Sequence, residues 1–413
     1  MPGGYTEARG WFATGPVERG RASMPPVPPD LRAVRALLPC LTTEVYLNTG
    51  GCGPLSRPAA DALGAWAQAA LRRGRGSAEG FGRIEAESVA LRAAAGRVVG
   101  DDGERIALTA NTTDGLNTVA WGLDWRPGDE IVMPALEYPG TAVLLATVAR
   151  RRGAALRLID PDGVEEDLEA AVAEVSGPRT RLVVLSHVSW ATGAVLDVAG
   201  AARAARRVGA AVAVDGAQSA GAVPVDVAAL GVDAYAFPAH KWLLGPEGLG
   251  ALWVAPDAAG TIDLTRGGFE SGRDHTPEGG LTLHPGARRY EAATLPAALL
   301  PAWRATISWL DDLGWGWVHR RIAEAQAAAR AALSPIPGVT VLTPPGPQAG
   351  LVTFTIDGRD PEVAARRLAE QGVILRWLRR PAALRASLGF FTDAADVARL
   401  AAACAAVAAG DGC

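Results

Sequence analysis

Short apolar runs alternate with helical stretches between residues 104 and 255. The helical stretches, such as Leu168–Val175 and Val198–Val208, carry Ala, Glu and Arg at helical spacing. Because continuously apolar strands belong to parallel sheets that are covered on both faces, this pattern predicts an α/β fold with a mostly parallel sheet. The predicted strands are Arg105–Ala110, Glu130–Ala135, Ala155–Ile159, Arg181–His187, Ala211–Val214, Ala234–Phe237 and Gly250–Val254.

The pattern changes after Pro296. A long helical stretch rich in Ala and Arg runs to about Leu333, with an interruption near Gly314–Gly316. Strands and helices then follow in an order that predicts a smaller α+β domain beside the large one. The predicted elements are strands at Thr340–Leu342, Leu351–Ile356, near Val373–Trp377 and near Arg385–Leu388, and helices over Pro361–Gln371 and from Ala394.

These patterns divide the chain into three parts. Residues 1–30 are rich in Gly, Pro and Arg without periodicity, which predicts a flexible arm. Residues 31–296 form the large domain, and within them the stretch 31–45 could pack on the small domain instead. The small C-terminal domain comprises residues 297–413.

Composition excludes several classes of protein. With 413 residues, 49% of them apolar, the chain can bury one large core or two unequal ones. Its net charge of −4 has no acidic or basic block, so we expect no nucleic-acid partner and no membrane surface. No secretory leader pattern and no 18-residue apolar run are found, which predicts a soluble cytoplasmic protein.

Cysteines and histidines give no metal-binding pattern. The four cysteines, at 40, 52, 404 and 413, lack CxxC spacing, and the five histidines are scattered. We therefore expect free thiols in a reducing cytosol and no metal.

The 40 basic residues comprise 39 arginines and one lysine, Lys241. A GC-rich coding bias, which the abundant Ala and Arg suggest, would explain the loss of lysine by drift. Drift does not explain why the survivor lies in Ala-His-Lys-Trp, directly after a predicted strand. A buried ammonium can lose its proton and act as a nucleophile, whereas guanidinium stays charged. The position favours Lys241 as a covalent catalytic residue that forms imines with carbonyl compounds.

Asp215 ends another predicted strand and precedes a Gly turn. Ligands of parallel sheets lie beyond the carboxyl ends of the strands, and Asp215 comes about one β-α-β step before Lys241. Pyridoxal phosphate needs such a pair, because lysine holds its aldehyde and an acid keeps its ring nitrogen protonated. Gln218 could then bond the phenolic oxygen of the ring. The alternative is that Asp215 only forms the turn.

A hydroxyl-rich stretch from Thr109 to Asn117 closes the first strand and opens a helix. Hydroxyls and free backbone N–H groups at a helix N-terminus suit a phosphate, although most such clusters are plain N-caps. Together with Asp215 and Lys241 on later strands, Thr112 and Thr113 become a credible third anchor.

These residues carry a family resemblance. Val-Asp-Gly-Ala-Gln-Ser, followed by Asp-Ala-Tyr-Ala-Phe-Pro-Ala-His-Lys-Trp-Leu-Leu-Gly-Pro-Glu-Gly, resembles the core of the class V aminotransferases. This group of fold-type-I pyridoxal phosphate enzymes includes cysteine desulfurases, selenocysteine lyases, isopenicillin-N epimerases and ergothioneine C–S lyases. Softer matches are Val45-Tyr-Leu-Asn-Thr-Gly-Gly, Ser186-His-Val-Ser, Arg289-Tyr-Glu-Ala-Ala-Thr294 and Leu384-Arg-Ala-Ser-Leu. The resemblance implies a homodimer with the active site at its interface.

The resemblance also implies a role for each matched residue. Lys241 forms the imine and shuttles a proton, Asp215 binds the pyridine nitrogen, and Gln218 binds the phenolic oxygen. The phosphate would be held by Thr112, Thr113 and His240, and completed across the dimer interface by Gly267, Gly268 and Thr294. Tyr138 would stack on the pyridine. On the substrate side the candidates are Arg385 as the carboxylate clamp, Arg376 as a weaker companion, and Asn48.

Several positions depart from the desulfurase pattern. Pro238, Trp190 and Tyr138 replace the Ser, Asn and His that desulfurases commonly have. The segment Trp377–Leu384 is short and lacks the mobile cysteine that a persulfide-forming desulfurase needs. Cys404 and Cys413 are poor substitutes, so these residues argue against a sulfur-relay mechanism.

We therefore expect β-elimination or C–S bond cleavage on a small amino-acid-like substrate. Tyr138 is the reason, because a phenol can protonate a departing sulfur or oxygen group. Transamination and then epimerisation are the alternatives. Two further hypotheses are a regulatory scaffold that binds pyridoxal phosphate without turnover, and a lyase that uses Lys241 without a cofactor.

Overall fold

A computed structural model describes residues 29–345 and 348–410 of the chain. Most of the predicted arm at residues 1–30 lies outside these ranges. The helices are α1 Leu31–Ala36, α2 Arg57–Arg72, α3 Ala78–Val98, α4 Thr112–Gly122, α5 Pro139–Arg152, α6 Pro161–Glu166, α7 Leu168–Val175, α8 Val198–Arg207, α9 Val227–Leu230, α10 Leu299–Leu313, α11 Trp315–Leu333, α12 Pro361–Glu370 and α13 Ala394–Ala409.

The strands are β1 Val45–Tyr46, β2 Ile106–Thr109, β3 Glu130–Pro134, β4 Ala155–Ile159, β5 Thr180–Ser186, β6 Ala211–Asp215, β7 Ala234–Pro238, β8 Gly250–Val254, β9 Gly272–His275, β10 Leu281–Leu283, β11 Val339–Val341, β12 Leu351–Ile356, β13 Val373–Ile374, β14 Arg376–Arg379 and β15 Ala382–Ser387. Strands β2 to β8 form one sheet in the order β2-β8-β7-β6-β5-β3-β4. In this sheet β8 alone runs in the direction opposite to the other six strands, so the predicted mostly parallel sheet is confirmed.

Successive residues of the central strands enter cores on opposite faces of the sheet. In β5, Val183 and Leu185 pack into one apolar cluster, whereas Leu182 and Val184 pack into the other. The first cluster takes side chains from α3, α8 and α10, and the second from α4 and α5. Because helices cover both faces, the middle of these strands carries apolar side chains on both faces, which is why their sequence shows runs rather than alternation.

Strands β11, β12, β15 and β14 form a second, antiparallel sheet in that order. Helices α11, α12 and α13 contribute to its core, as do Val45 and Leu47 from the beginning of the described chain. The stretch 31–45 also contacts this unit through Arg35, whose guanidinium donates to Asp396 on α13 at 2.6 Å.

One predicted strand was wrong in its extent. The run near Val373–Trp377 is divided between two sheets: β13 pairs in parallel with β1, and β14 pairs with β15. The chain changes partner at Leu375, and the pairing partners lie far away in the sequence, so periodicity within the run could not show the break.

Helix α10 follows the predicted domain boundary at residue 296 but packs against α2 and α3. Trp303 and Ile307 belong to the core of the larger sheet, and Arg304 pairs with Glu87 on α3 at 2.7 Å. We therefore propose that the transition between the two units lies at the α10–α11 junction, while the boundary at 296 stays a prediction.

No helix within the described ranges has the length and hydropathy needed to cross a membrane. In the same ranges, no cluster of three or more His, Cys, Asp or Glu side chains could hold a metal ion. The described cysteines at 40, 52 and 404 are free thiols, and Cys413 lies outside the described residues.

A buried ion pair joins α3 to the segment that follows the large sheet. Arg92 donates to both oxygens of Glu291 at 2.9 and 3.1 Å, and Glu291 also accepts the Leu108 N–H of β2 at 2.8 Å. The side chains are 7% and 3% exposed. Burial raises the pKa of Glu291, and Arg92 opposes that rise.

We expect Arg92→Met to lower the free energy of unfolding by about 3–5 kcal/mol, because it leaves a buried carboxylate without its cation. Urea unfolding followed by circular dichroism measures the change. The control is Arg73→Met, which removes the exposed pair with Glu79 and should cost less than about 1 kcal/mol. Equal losses of unfolding free energy in the two variants would contradict the conclusion that the buried pair of Arg92 and Glu291 stabilises the fold.

Candidate active site

Two functional side chains follow neighbouring strands at the carboxyl edge of the large sheet. Asp215 is the last residue of β6, in register with Ser186 of β5 and Ala236 of β7. Lys241 follows β7 after a turn of two residues. Because β6 and β7 are parallel neighbours, Asp215 and Lys241 meet at the same edge, as predicted from their order in the chain.

A cavity of about 510 Å³ lies at this edge. Seven of the predicted site residues line it: Thr112, Thr113, Tyr138, Asp215, Gln218, His240 and Lys241. A wider groove of about 800 Å³ lies beside α4, but its charged residues include the exposed ion pair of Asp114 and Arg266 and it contains neither Asp215 nor Lys241. The chemistry therefore points to the smaller cavity.

The amine of Lys241 is buried, and burial lowers its pKa to about 8. The Asp215 carboxylate opposes this shift, while the positive charges of Arg385 and Arg376 add to it. The Nζ atom lies 5.8 Å from the centre of the Tyr138 ring. About half of the amine is therefore neutral near pH 8, and it lies over the ring of a tyrosine.

Asp215 is held by two donors. The Ala217 N–H donates to Oδ1 at 2.9 Å, and the Thr141 hydroxyl donates to Oδ2 at 3.2 Å. Burial raises the pKa of Asp215, whereas Lys241 and both hydrogen bonds lower it. The carboxylate is fixed in position and is suited to pair with a protonated ring nitrogen.

The Gln218 amide is oriented by two contacts. Its Oε1 accepts the Trp242 indole N–H at 3.0 Å, and its Nε2 donates to the Gly50 carbonyl at 2.8 Å. The amide nitrogen carries two hydrogens, so one remains for another acceptor. Gln218 can therefore still donate to a phenolic oxygen.

The opposite end of the cavity is built by the N-terminus of α4. Asn111 caps this helix, its Oδ1 accepting the Asp114 N–H at 2.9 Å. The buried Thr112 Oγ1 and the His240 Nδ1 have no partner within the described residues. Unpartnered polar atoms at a helix N-terminus fit a phosphate group, so the residues present suit the predicted cofactor.

Arg385 lies behind the cavity, on the second sheet; it does not line the cavity, but its charge acts on Lys241. It lies in β15, is 2% exposed, and donates from Nη1 to the Trp190 carbonyl at 2.6 Å. Its Nε has no partner among the described residues. Burial, and then the charge of Arg376, lowers the pKa of Arg385 to about 9.

The other two substrate-side candidates lie beside Arg385. Arg376 in β14 is exposed and stands opposite Arg385 in the strand register. Asn48 forms a bridge with Ser387, two residues beyond Arg385, and its buried Oδ1 is unpartnered in the described part of the chain. Neither residue lines the cavity itself.

Gly268 and Thr294 do not line this cavity. Thr294 is exposed and borders an apolar groove with Trp66 and Phe81. Their predicted role depends on a second copy of the chain across an interface, so it stays a prediction.

The sequence patterns missed several residues at this site. Glu137 is buried and accepts the Ser186 hydroxyl, the Ser186 N–H and the Tyr138 N–H at 2.5–2.8 Å. Burial, and then the Asp215 charge, raises its pKa to about 7. A glutamate beside Tyr138 at the end of a buried strand was the available signal. Cys52 was missed as well. A negative charge on its sulfur raises the pKa of Lys241, and its thiol donates to a carboxylate oxygen of Glu247 at 3.4 Å.

The class V aminotransferase family model matches residues 77–400. A probable cysteine desulfurase from Pseudomonas aeruginosa is 36% identical over 309 residues, which cover 71% of this chain and 76% of that protein. The isopenicillin N epimerase of Streptomyces clavuligerus is 33% identical over 384 residues, or 87% of this chain and 94% of the epimerase.

Solved structures show the same likeness. The complex between the cystine C–S lyase C-DES and its reaction product cysteine persulfide has a TM-score of 0.85 and 34% identity, covering 89% of this chain and 99% of that chain. A C-DES mutant with glycine covalently linked to its PLP cofactor has a TM-score of 0.86 and 33% identity, covering 91% and 99%.

We expect aldehydes to modify the apoprotein at Lys241 with a midpoint near pH 8. Burial lowers the pKa of this amine from 10.5 to about 8, so half of it is neutral there. Reductive alkylation with an aromatic aldehyde across this pH range, followed by peptide mapping, gives the midpoint. Asp215→Asn should move the midpoint lower, because it removes the charge that favours the ammonium. A midpoint near 10.5, or side-chain label elsewhere in the chain, would contradict the assignment.

Proposed function

The chain belongs to the class V aminotransferase family of pyridoxal phosphate-dependent enzymes, and on that premise we propose that it is a β-eliminating C–S lyase. The substrate would be a small amino acid whose side chain bears sulfur on Cβ. The observation that carries this proposal is the position of the Tyr138 ring, whose centre lies 5.8 Å from the Lys241 Nζ, at a cavity that no cysteine of the described residues lines.

The residues that would hold the cofactor form a continuous set. Thr112, Thr113 and His240 would bind the phosphate, Asp215 the ring nitrogen and Gln218 the phenolic oxygen, with Tyr138 against the ring. A second copy of the chain would add Gly268 and Thr294. When bound, pyridoxal phosphate supplies a ring that accepts the electron pair left at the substrate Cα.

Lys241 would move the first proton. Its Nζ, neutral in about half of the molecules near pH 8, takes the proton from the substrate Cα. Asp215 would keep its negative charge next to the ring nitrogen of the cofactor. The electron pair left at Cα would then form a Cα=Cβ double bond as the Cβ–S bond breaks, and the sulfur would leave with the electrons of the broken bond. Tyr138 donates its hydroxyl proton to that sulfur.

Arg385 would orient the substrate through its α-carboxylate. A buried guanidinium without a carboxylate partner is costly, and a bidentate anion compensates that cost. The bond to the Trp190 carbonyl occupies one donor of Nη1 and leaves Nε and Nη2 for the substrate. Asn48 and Arg376 lie beside this clamp and would contact the same end of the substrate.

The hairpin between β14 and β15 argues against a sulfur relay. The two strands are joined through residues 380 and 381, where a desulfurase needs a mobile cysteine. Cys404 is fully buried in α13. Cys52 is nearer to Lys241, but burial and Glu247 raise the pKa of its thiol to about 12. Because the thiolate is the attacking form, this thiol is a poor sulfur acceptor.

The comparisons support elimination and also favour a second candidate. This chain matches 99% of the length of the cystine C–S lyase C-DES, which supports C–S cleavage. The isopenicillin N epimerase matches over 94% of its length, which makes epimerisation the second candidate. An epimerase needs proton transfer on both faces of Cα, for which Lys241 and Tyr138 would be the pair. Transamination would need Lys241 alone.

We expect Tyr138→Phe to reduce elimination about 10²–10⁴-fold, because the ring remains while the general acid is lost. Exchange of the Cα hydrogen with solvent deuterium should persist, since Lys241 is intact. Sulfur release and deuterium incorporation are measured on the same samples. Inversion at Cα by the wild type would instead indicate an epimerase, and release of a keto acid without sulfur by the wild type would indicate a transaminase. Either result would overturn the preferred reaction.

We expect Arg385→Lys to raise KM about 10-fold or more, because the single ammonium loses at least one charge-assisted hydrogen bond to the carboxylate. The absorbance of the bound cofactor should not change. Arg379→Lys is the matched control, since Arg379 is exposed on the same hairpin. An unchanged KM would move the clamp to another arginine, with Arg376 the next to test.

A further inference from the structure

Trp190 connects the cofactor side and the substrate side of the cavity. Its indole is 8% exposed and lines the same cavity as Lys241. The ring meets Tyr138 edge to face, with centroids 5.8 Å apart, and its N–H donates to the Leu136 carbonyl at 3.1 Å. The indole is therefore held in a single orientation against the aromatic ring that faces Lys241.

The main chain around Trp190 is fixed independently of the indole. The Trp190 carbonyl accepts from Arg385 at 2.6 Å, and the Ala191 carbonyl accepts from the Thr353 hydroxyl at 2.6 Å. At Gly193 φ is +82°, and a Cβ there would lie 2.7 Å from the Cβ of Leu351. The second sheet thus holds this turn by backbone contacts, which a substitution of the Trp190 side chain leaves in place.

A second, smaller cavity of about 30 Å³ lies behind the indole. Its walls are mostly apolar and include Leu136, Val164 and Leu196. Trp190 and Ser186 line both cavities, so the indole is the larger part of the partition between them. Removing it would join the active-site cavity to an apolar space.

We propose that Trp190 determines specificity, its indole limiting the site to substrates with short side chains. This inference rests on the proposed function, because Arg385 must hold the α-carboxylate for the side chain to lie near Trp190. The Arg385 guanidinium donates to the Trp190 carbonyl, so a carboxylate bound there brings the substrate next to this residue. Tyr138 and Trp190 then form an aromatic corner, and divalent sulfur packs favourably against such rings.

The experiment compares amino acids that have no leaving group, so that elimination cannot consume them during the titration. Holoenzyme is titrated with L-alanine and L-phenylalanine, and the change in cofactor absorbance gives both Kd values. The wild type should bind alanine more tightly. In Trp190→Ala the ratio should shift towards phenylalanine about 10-fold or more, the discrimination that one or two apolar groups provide in a hydrophobic pocket.

Two further variants make the test specific. Trp190→Phe keeps most of the partition and should retain most of the wild-type preference, while Trp190→Leu should lie between Phe and Ala and replaces the Ala variant if that one does not fold. Trp309→Phe is the control, since Trp309 lies on α10, packs against Phe390 and does not line the cavity. An unchanged ratio in the Ala and Leu variants overturns the proposal, as does an equal shift in the control.

The same titration separates this inference from the proposed function. If Tyr138→Phe leaves elimination intact while the Trp190 series shifts the Kd ratio, the reaction assignment fails and the specificity assignment stands. If elimination depends on Tyr138 but the Kd ratio is insensitive to Trp190, the opposite holds.

Discussion

Two buried charges of opposite sign, on Lys241 and Asp215, are the constraint around which this molecule is arranged. Each would be costly alone, because burial disfavours a charged group without a partner. Each favours the charged form of the other, and Thr141 and the Ala217 N–H add support for the carboxylate. The pair can form because β6 and β7 are parallel neighbours with their carboxyl ends at one edge. The remaining contacts of the site hold groups in place around that pair.

The second sheet completes the site from the other side. Arg385 is buried beside Lys241 without an ion-pair partner in the described chain, and the Trp190 carbonyl orients it. The two sheets also pack closely at a second point, where a Cβ on Gly350 would lie 2.6 Å from the Trp242 ring. Trp242 in turn orients Gln218. The packing of the two sheets therefore sets both the cofactor side and the substrate side of the cavity.

Local periodicity accounts for the parts of the fold that were predicted well. The seven predicted strands of the large sheet match the observed ones to within one residue at each end, because each is bounded by turn residues and all but the edge strand β4 are largely buried on both faces. Residues placed directly after these strands, such as Asp215 and Lys241, were assigned to one site on the same grounds. The break at Leu375 and the packing of α10 on α2 and α3 were not predictable, since both depend on partners distant in the sequence.

The sequence by itself determined the class of fold, the single lysine and the order in which the cofactor-binding candidates follow the strands. Only the tertiary structure decided which other side chains face that lysine. Glu137 accepts the Tyr138 N–H, Cys52 acts on the pKa of Lys241, and Trp190 separates two cavities. Only Glu137 had a local signal, its place beside Tyr138 after a strand, and no spacing pattern indicated the contacts of the other two. Spacing along one element decides which of its own residues share a face. Contacts between elements depend on how the sheets and loops pack, and that packing is a property of the whole chain.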